Sequence, residues 1–129
     1  MTEVKEIYKC NICGNTVEVL VSGQGTLVCC GQDMELLKEN DSESNTDLDL
    51  SKKHTPIIEQ EANKVIVKVG DVEHPMTPEH YIKWIEVNID GSIYFKKLNV
   101  GDKPIAEFKT TGNKIFARAY CNIHGLWKS

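Results

Sequence analysis

The sequence lacks any long hydrophobic run. No stretch approaches the ~20 apolar residues of a membrane span, and the residues from Met1 to Cys10 lack the hydrophobic core of a signal peptide. Excess positive charge is also absent, since 15 Lys and Arg stand against 19 Asp and Glu. The net charge of -4 argues against nucleic acid as a partner. We therefore expect a cytoplasmic protein with neither a membrane nor a nucleic-acid partner.

Two residue types are missing from particular regions. Histidine is absent before His54, and cysteine is absent between Cys30 and Cys121. The early thiols are Cys10, Cys13, Cys29 and Cys30, and the late group consists of His54, His74, His80, Cys121 and His124. Because cytoplasmic thiols stay reduced and five is an odd number, metal ligands fit these cysteines better than disulfides do. The segregation predicts two metal centres, one all-thiolate and one imidazole-rich.

Residues 1–37 form a predicted first domain of short alternating strands. A segment this small rarely folds without a metal, a disulfide or a partner. Cys10 and Cys13 form a Cys-x-x-Cys knuckle, and with the second pair they offer four thiolates to zinc or to a single iron. The adjacent Cys29 and Cys30 predict a distorted tetrahedron. A strained vicinal disulfide and buried spectator thiols are the alternatives.

The remaining chain divides into a linker and a second domain. Residues 38–51 are acidic and polar with almost nothing apolar, which predicts a solvated linker. Residues 52–129 contain six or seven strand-like segments, with a hairpin signal at Asp90-Gly91. That spacing predicts an all-β domain, a β-sandwich, with no long helix.

The four histidines lie outside the strand patterns, and loops at one end of a sandwich can converge. Cys121 and His124 lie three residues apart just after a strand, so both can face one point. Four imidazoles and one thiolate suit a redox-active iron better than zinc, and five ligands leave one octahedral position open. Lys52 and Lys53 precede His54 and would attract small anions to the open side. For Lys52, a solvated charge beside a proline turn is the alternative.

These motifs together resemble one family, and the resemblance covers nearly the whole chain outside the linker. The matching residues are Cys10-x-x-Cys13, Cys29-Cys30, Lys53-His54-Thr55-Pro56, His74-Pro75-Met76, His80-Tyr81 and the run from Cys121 to Lys128. In combination they are similar to desulfoferrodoxin, the two-iron form of superoxide reductase.

The resemblance implies a desulforedoxin- or rubredoxin-like first domain holding iron on its four cysteines, followed by an immunoglobulin-like sandwich with the catalytic iron. On that second iron the four histidines would be equatorial and Cys121 axial, with neither haem nor flavin. Family members reduce superoxide to hydrogen peroxide with an electron from a small donor such as rubredoxin, and they are commonly homodimers. Lys53 matches the lysine that attracts the anion and helps protonate the product through water.

One position departs from the family. Most members have a glutamate directly before that lysine, which caps the resting ferric iron, and here the residue is Lys52. A cationic side chain does not take that role readily, so we expect water, hydroxide or nothing at the sixth position. Leu126 stands where a histidine is common and is a milder difference.

Three other functions compete with this interpretation. A zinc-binding module without catalysis would be colourless and would leave the imidazole set without a role. An electron carrier would need no open coordination position. A zinc hydrolase would need a carboxylate base, for which Glu79, expected to face solvent, is the only candidate beside the histidines.

Overall fold

The computed structural model describes all 129 residues, and the chain divides into two compact units, Met1–Lys38 and Glu39–Ser129. No helix in it is both long and apolar enough to cross a membrane. The first unit contains five short strands: β1 (Ile7–Lys9), β2 (Thr16–Glu18), β3 (Val28–Cys29), β4 (Gln32–Asp33) and β5 (Glu35–Leu36). They form an antiparallel sheet in the order β2-β1-β5 and a separate β3-β4 hairpin.

The first unit has little apolar core. Ile7, Cys10 and Val19 are buried, whereas Leu20 and Val21 are largely exposed. So small a buried surface contributes little to folding at about 25 cal/mol per Å². The unit therefore depends on whatever its cysteines bind.

The second unit contains one helix and eight strands. In chain order these are β6 (Glu39–Asn40), α1 (Leu48–His54), β7 (Pro56–Glu61), β8 (Lys64–Val69), β9 (Ile82–Ile89), β10 (Ser92–Lys97), β11 (Ile105–Phe108), β12 (Ile115–Cys121) and β13 (Gly125–Lys128). A five-stranded sheet, β10-β9-β12-β13-β6, faces a three-stranded sheet, β11-β8-β7. The all-β prediction is confirmed.

The core lies between these two sheets because their strands alternate. Val65, Val67 and Val69 of β8 are buried, and they pack in one cluster with residues of the larger sheet such as Ile85 and Val87. The alternation places successive side chains on opposite faces, so each sheet presents one apolar face to the other. The sandwich thereby holds the ends of its strands in fixed positions.

One ion pair is buried in the larger sheet. Arg118 of β12 lies directly opposite Glu86 of β9, and its Nε and Nη2 both donate to Glu86 Oε1, at 2.9 and 2.6 Å. Both residues are at most 9% exposed. A buried charge persists only where it is paired, so Glu86 requires Arg118, which also donates from Nη1 to Glu39 Oε2 at 3.4 Å.

The predicted hairpin turn is present between β9 and β10. Asp90 and Gly91 have φ values of 49° and 91°, as a two-residue turn between twisted strands requires. The Asp90 carboxylate also accepts hydrogen bonds from the N–H groups of Asn113 and Lys114, which precede β12. The turn thus fixes the start of β12, whose other end carries Cys121.

The acidic segment 38–51 differs from a free linker. Its β6 strand pairs in parallel with β13, and Asn40 Nδ2 donates to Leu126 O at 3.0 Å. Asp47 caps α1 by accepting from the N–H groups of Asp49 and Leu50. The composition of the segment conceals both features, because its contacts are made through backbone and polar groups.

Candidate metal centres

The first cluster consists of the four early cysteines. Their sulfurs all lie within 4.8 Å of one another, and all four thiols are free, which excludes the vicinal disulfide. Cys30 has a left-handed φ of 54°, which lets two adjacent residues direct their sulfurs, 3.9 Å apart, toward one point. The predicted knuckle and the adjacent pair therefore meet.

Backbone groups prepare these sulfurs for a cation. The N–H groups of Cys13 and Ile12 approach Cys10 Sγ at 3.5 and 3.4 Å and lower the pKa of Cys10 to about 6. By contrast, hydrogen bonding with Cys13 and Cys29 raises the pKa of Cys30 to about 12. The first thiolate forms easily and the last with difficulty, because the Cys30 thiol is hydrogen-bonded to its neighbours and, to a smaller extent, lies beside the negative charge of Cys10. A metal ion at their centre removes that conflict.

The second cluster draws on four different segments of the sandwich unit. His54 ends α1, His74 and His80 lie between β8 and β9, Cys121 ends β12, and His124 lies between β12 and β13. Ligand atoms of His54, His80, Cys121 and His124 all lie within 4.8 Å of one another, and His74 Nε2 is 3.0 Å from His54 Nε2. All five residues predicted for the second centre therefore lie together.

The four imidazole rings are arranged as a square. Neighbouring ring centroids are 4.6 Å apart for His54 and His74, 4.5 Å for His74 and His80, 5.0 Å for His80 and His124, and 4.7 Å for His124 and His54. The diagonal from His54 to His80 is longer, at 6.0 Å. Cys121 approaches this square, with its Sγ 3.8 Å from His124 Nδ1.

The hydrogen bonds of two histidines define which nitrogens face inward. His54 Nδ1 lies 2.8 Å from Leu50 O and His74 Nδ1 lies 2.7 Å from Pro75 O. A carbonyl oxygen only accepts, so each Nδ1 must carry the hydrogen. In the neutral rings both Nε2 atoms then present lone pairs to each other at 3.0 Å.

A bound cation would remove the repulsion between these two facing lone pairs. Desolvation by burial lowers the pKa of both His54 and His74 to about 4, so neither ring is protonated near neutral pH. His80 Nε2 is also buried without any hydrogen-bond partner. Two nitrogens bound at right angles to one metal at about 2.1 Å would lie about 3.0 Å apart. The donor set therefore fits a metal ion.

The Cys121 thiol is buried on the same centre. Its burial raises the pKa, whereas the N–H groups of His124 and Ile123 oppose that rise, and the His124 N–H lies 3.4 Å from Sγ. The balance favours the neutral thiol until a cation is present. The donor set is then one thiolate with four neutral imidazoles.

Local contacts hold His54 at the end of α1. The N–H of Asp71 donates to Lys52 O at 2.7 Å, and that of Gly70 donates to Thr55 O at 3.2 Å. Gly70 has a φ of 85°, and a Cβ there would lie 2.5 Å from Lys53 O. The helix end and the end of β8 are therefore in contact at a position where only glycine fits.

Some neighbours of the cluster carried no signal in the sequence. Trp127 stacks on His54 with centroids 5.1 Å apart and donates from Nε1 to His124 O at 3.0 Å. Asn122 contacts the segment around His80 through its side chain. Glu79 is exposed, which leaves the hydrolase interpretation without a base beside the histidines.

Comparison with known proteins covers both units. The family described as desulfoferrodoxin matches residues 46–129, and the desulfoferrodoxin N-terminal domain matches residues 2–37. A desulfoferrodoxin homolog of Archaeoglobus fulgidus is 54% identical over 129 residues, covering 100% of this chain and 99% of the relative. The desulfoferrodoxin of Nitratidesulfovibrio vulgaris is 52% identical over 124 residues, covering 96% and 94%.

A solved structure matches as well. The crystal structure of the superoxide reductase from Treponema pallidum superposes with a TM-score of 0.76 at 27% sequence identity. The match covers 96% of this chain and 95% of that one, and so includes both units.

Proposed function

Since this chain belongs to the desulfoferrodoxin family, we propose that it is a superoxide reductase, which reduces superoxide to hydrogen peroxide without releasing oxygen. Each superoxide takes one electron from a donor protein and two protons. The observation that carries the proposal is the square of four imidazoles with the buried Cys121 thiol beside it. Superoxide reductases among the relatives and solved structures support it.

We assign one iron to each cluster. Cys10, Cys13, Cys29 and Cys30 would hold the first iron. His54, His74, His80, His124 and Cys121 would hold the second iron. Bound there, iron would supply one-electron chemistry. The residues themselves keep the rings of His54 and His74 neutral and oriented, because burial lowers the pKa of both rings and the carbonyls of Leu50 and Pro75 leave their Nε2 lone pairs facing inward.

Lys53 is the proposed catalytic side chain. Burial is the main cause of the lowered pKa values of His54 and His80, and the positive charge of Lys53 lowers both further. Such a cation attracts the superoxide anion and can supply a proton to the product through water. Lys52 places a second positive charge next to it along the chain. Because Lys52 replaces the usual glutamate, that position offers no carboxylate to the open side of the centre.

The electron donor, the assembly and the domain roles follow the family in this proposal. A rubredoxin or a similar small protein would supply the electron, and the chain would act as a cytoplasmic homodimer. Residues 1–37 would be the iron-binding domain and residues 52–129 the reductase domain, with the acidic segment 38–51 between them. No nucleic-acid or membrane partner enters the reaction.

The test begins with the visible spectrum and the iron and zinc content of protein purified in air. Two irons per chain, a red sulfur-to-iron spectrum and a further band at longer wavelength after oxidation are expected. Rapid mixing of the reduced protein with superoxide should then give a fast reaction and one hydrogen peroxide per electron supplied. A colourless protein with a single zinc, even after expression in ample iron, would favour the binding-module interpretation. Two irons without a reaction with superoxide would favour an electron carrier.

A further inference from the structure

We propose that Asn122 is a positioning residue of the second metal centre, whose side-chain amide sets the separation between His80 and Cys121. The inference rests on the proposed function only in taking these two residues as ligands of one iron. Asn122 itself contacts no ligand atom of the square. It acts on the backbone that carries two of the ligands.

The amide spans the two peptide groups that flank His80. The N–H of Tyr81 donates to Asn122 Oδ1 at 2.9 Å, and Asn122 Nδ2 donates to Glu79 O at 3.0 Å. The backbone N–H of Asn122 adds a third bond, to Tyr81 O at 3.2 Å. Three hydrogen bonds therefore connect the residue after Cys121 with the residues immediately before and after His80.

These contacts require a carboxamide. One partner is a donor and the other an acceptor, so the side chain must accept and donate at once, through two atoms of one planar group. Aspartate would keep the bond from Tyr81 N–H but would place a second acceptor against Glu79 O. Alanine would make neither bond. The orientation of the amide is also unambiguous, because a peptide N–H cannot accept and a carbonyl cannot donate.

The location of the Asn122 side chain explains why its hydrogen bonds are needed. The ladder between β12 and β9 is irregular between Tyr120 and Cys121, and its last pair is Cys121 with Ile82. Beyond that pair the chain continues, on either side, into the segments that carry His80 and His124. The hydrogen bonds between Thr77 and His80 close a turn within one segment only. The Asn122 amide therefore continues the connection between the two segments past the end of the ladder.

Loss of these hydrogen bonds should weaken metal binding at the second centre. His80 Nε2 has no hydrogen-bond partner of its own, so its place in the square depends on the backbone that carries it. Removing groups that orient metal ligands typically weakens metal binding by roughly 10- to 100-fold. We expect the Asn122→Ala variant to show a loss in that range at the second centre and none at the first.

The test uses the full chain with iron in both centres. After oxidation, iron release to an excess of chelator is followed in the longer-wavelength band of the second centre, with the red band of the first as internal reference. Asn122→Ala should release the second iron roughly tenfold faster or more, and its band should shift as the thiolate bond changes. Asn88→Ala is the matched control, because it removes one side-chain hydrogen bond, to Gly91 N–H, at the opposite end of β9. The control should behave as the parent does.

Equal release rates and band positions in Asn122→Ala and Asn88→Ala would overturn the inference. If Asn122→Ala does not fold, Asn122→Asp replaces it, and release from the aspartate variant at the parent rate would be equally decisive against it. The assay involves no superoxide. A parent that binds both irons but does not react with superoxide would therefore refute the proposed function while the release rates still decide the role of Asn122. A parent whose second centre retains no metal would overturn both.

Discussion

Acidification should destabilise the metal-free protein through its two most buried histidines. Burial lowers the pKa of His54 and of His74 from 6.5 to about 4. Between those values the unfolded chain binds protons that the folded chain does not. The free energy of unfolding therefore falls as the pH falls below 6.5, and the full loss is reached only below about pH 4.

The expected loss is large relative to the stability of a small domain. At about pH 5, each of the two shifts corresponds to about 2 kcal/mol. The pair would then contribute about 4 kcal/mol at most, because the lowered pKa of His74 already includes repulsion from a protonated His54. A domain of this size is stable by about 5–15 kcal/mol, so much of its stability would be lost.

Urea unfolding of chelator-treated protein, followed by tryptophan fluorescence, measures this loss. Both tryptophans, Trp84 and Trp127, lie in the second unit, so the signal reports on that unit alone. The matched variant is His74→Asn, whose amide can still donate to Pro75 O but does not titrate. We expect the parent to lose about 2 kcal/mol more stability than the variant between about pH 7 and about pH 5. Carboxylates titrate alike in both proteins, so identical pH dependence would refute the reasoning.

Three further perturbations follow from the structure. Lys53→Met should slow the reaction with superoxide roughly tenfold and flatten its dependence on ionic strength. Lys53→Arg should keep the parent's rate and its dependence on ionic strength. Unchanged kinetics in the Met variant at full iron content would contradict the role of this charge. Gly70→Ala should destabilise the second unit by about 1–3 kcal/mol, because its Cβ would lie 2.5 Å from the carbonyl oxygens of Lys53 and Val72. A melting temperature equal to that of the parent would contradict this, since it would show that the backbone can shift there without cost. Arg118→Met should lower the free energy of unfolding by about 3–5 kcal/mol, because it leaves Glu86 buried and unpaired. Adding Glu86→Met should recover most of that loss in urea unfolding. A double variant no more stable than the single one would contradict this account.

The sequence alone predicted the features that depend on local pattern. Alternation in segments such as Lys64–Val69 predicted strands, and Asp90-Gly91 predicted a hairpin turn, because side-chain direction and turn geometry are set within a few residues. The spacings within Cys10-x-x-Cys13 and Cys121-x-x-His124 likewise place two donors together without distant contacts. Residue type alone separated a thiolate cluster from an imidazole cluster, since cysteine and histidine favour different metal chemistry.

Tertiary structure decided what depends on contacts between distant segments. His54 lies at the end of a helix that Asp47 caps. Only the folded chain brings its Nε2 to 3.0 Å from the Nε2 of His74, and no local pattern encodes that distance. The pairing of β6 with β13 was hidden for the same reason, because backbone hydrogen bonds leave no trace in an acidic composition. In the sequence, nothing distinguishes Asn122 from other polar loop residues. Its position between the peptide groups on either side of His80 exists only where the ends of β9 and β12 meet, and it is there that the chain sets the geometry of the second centre.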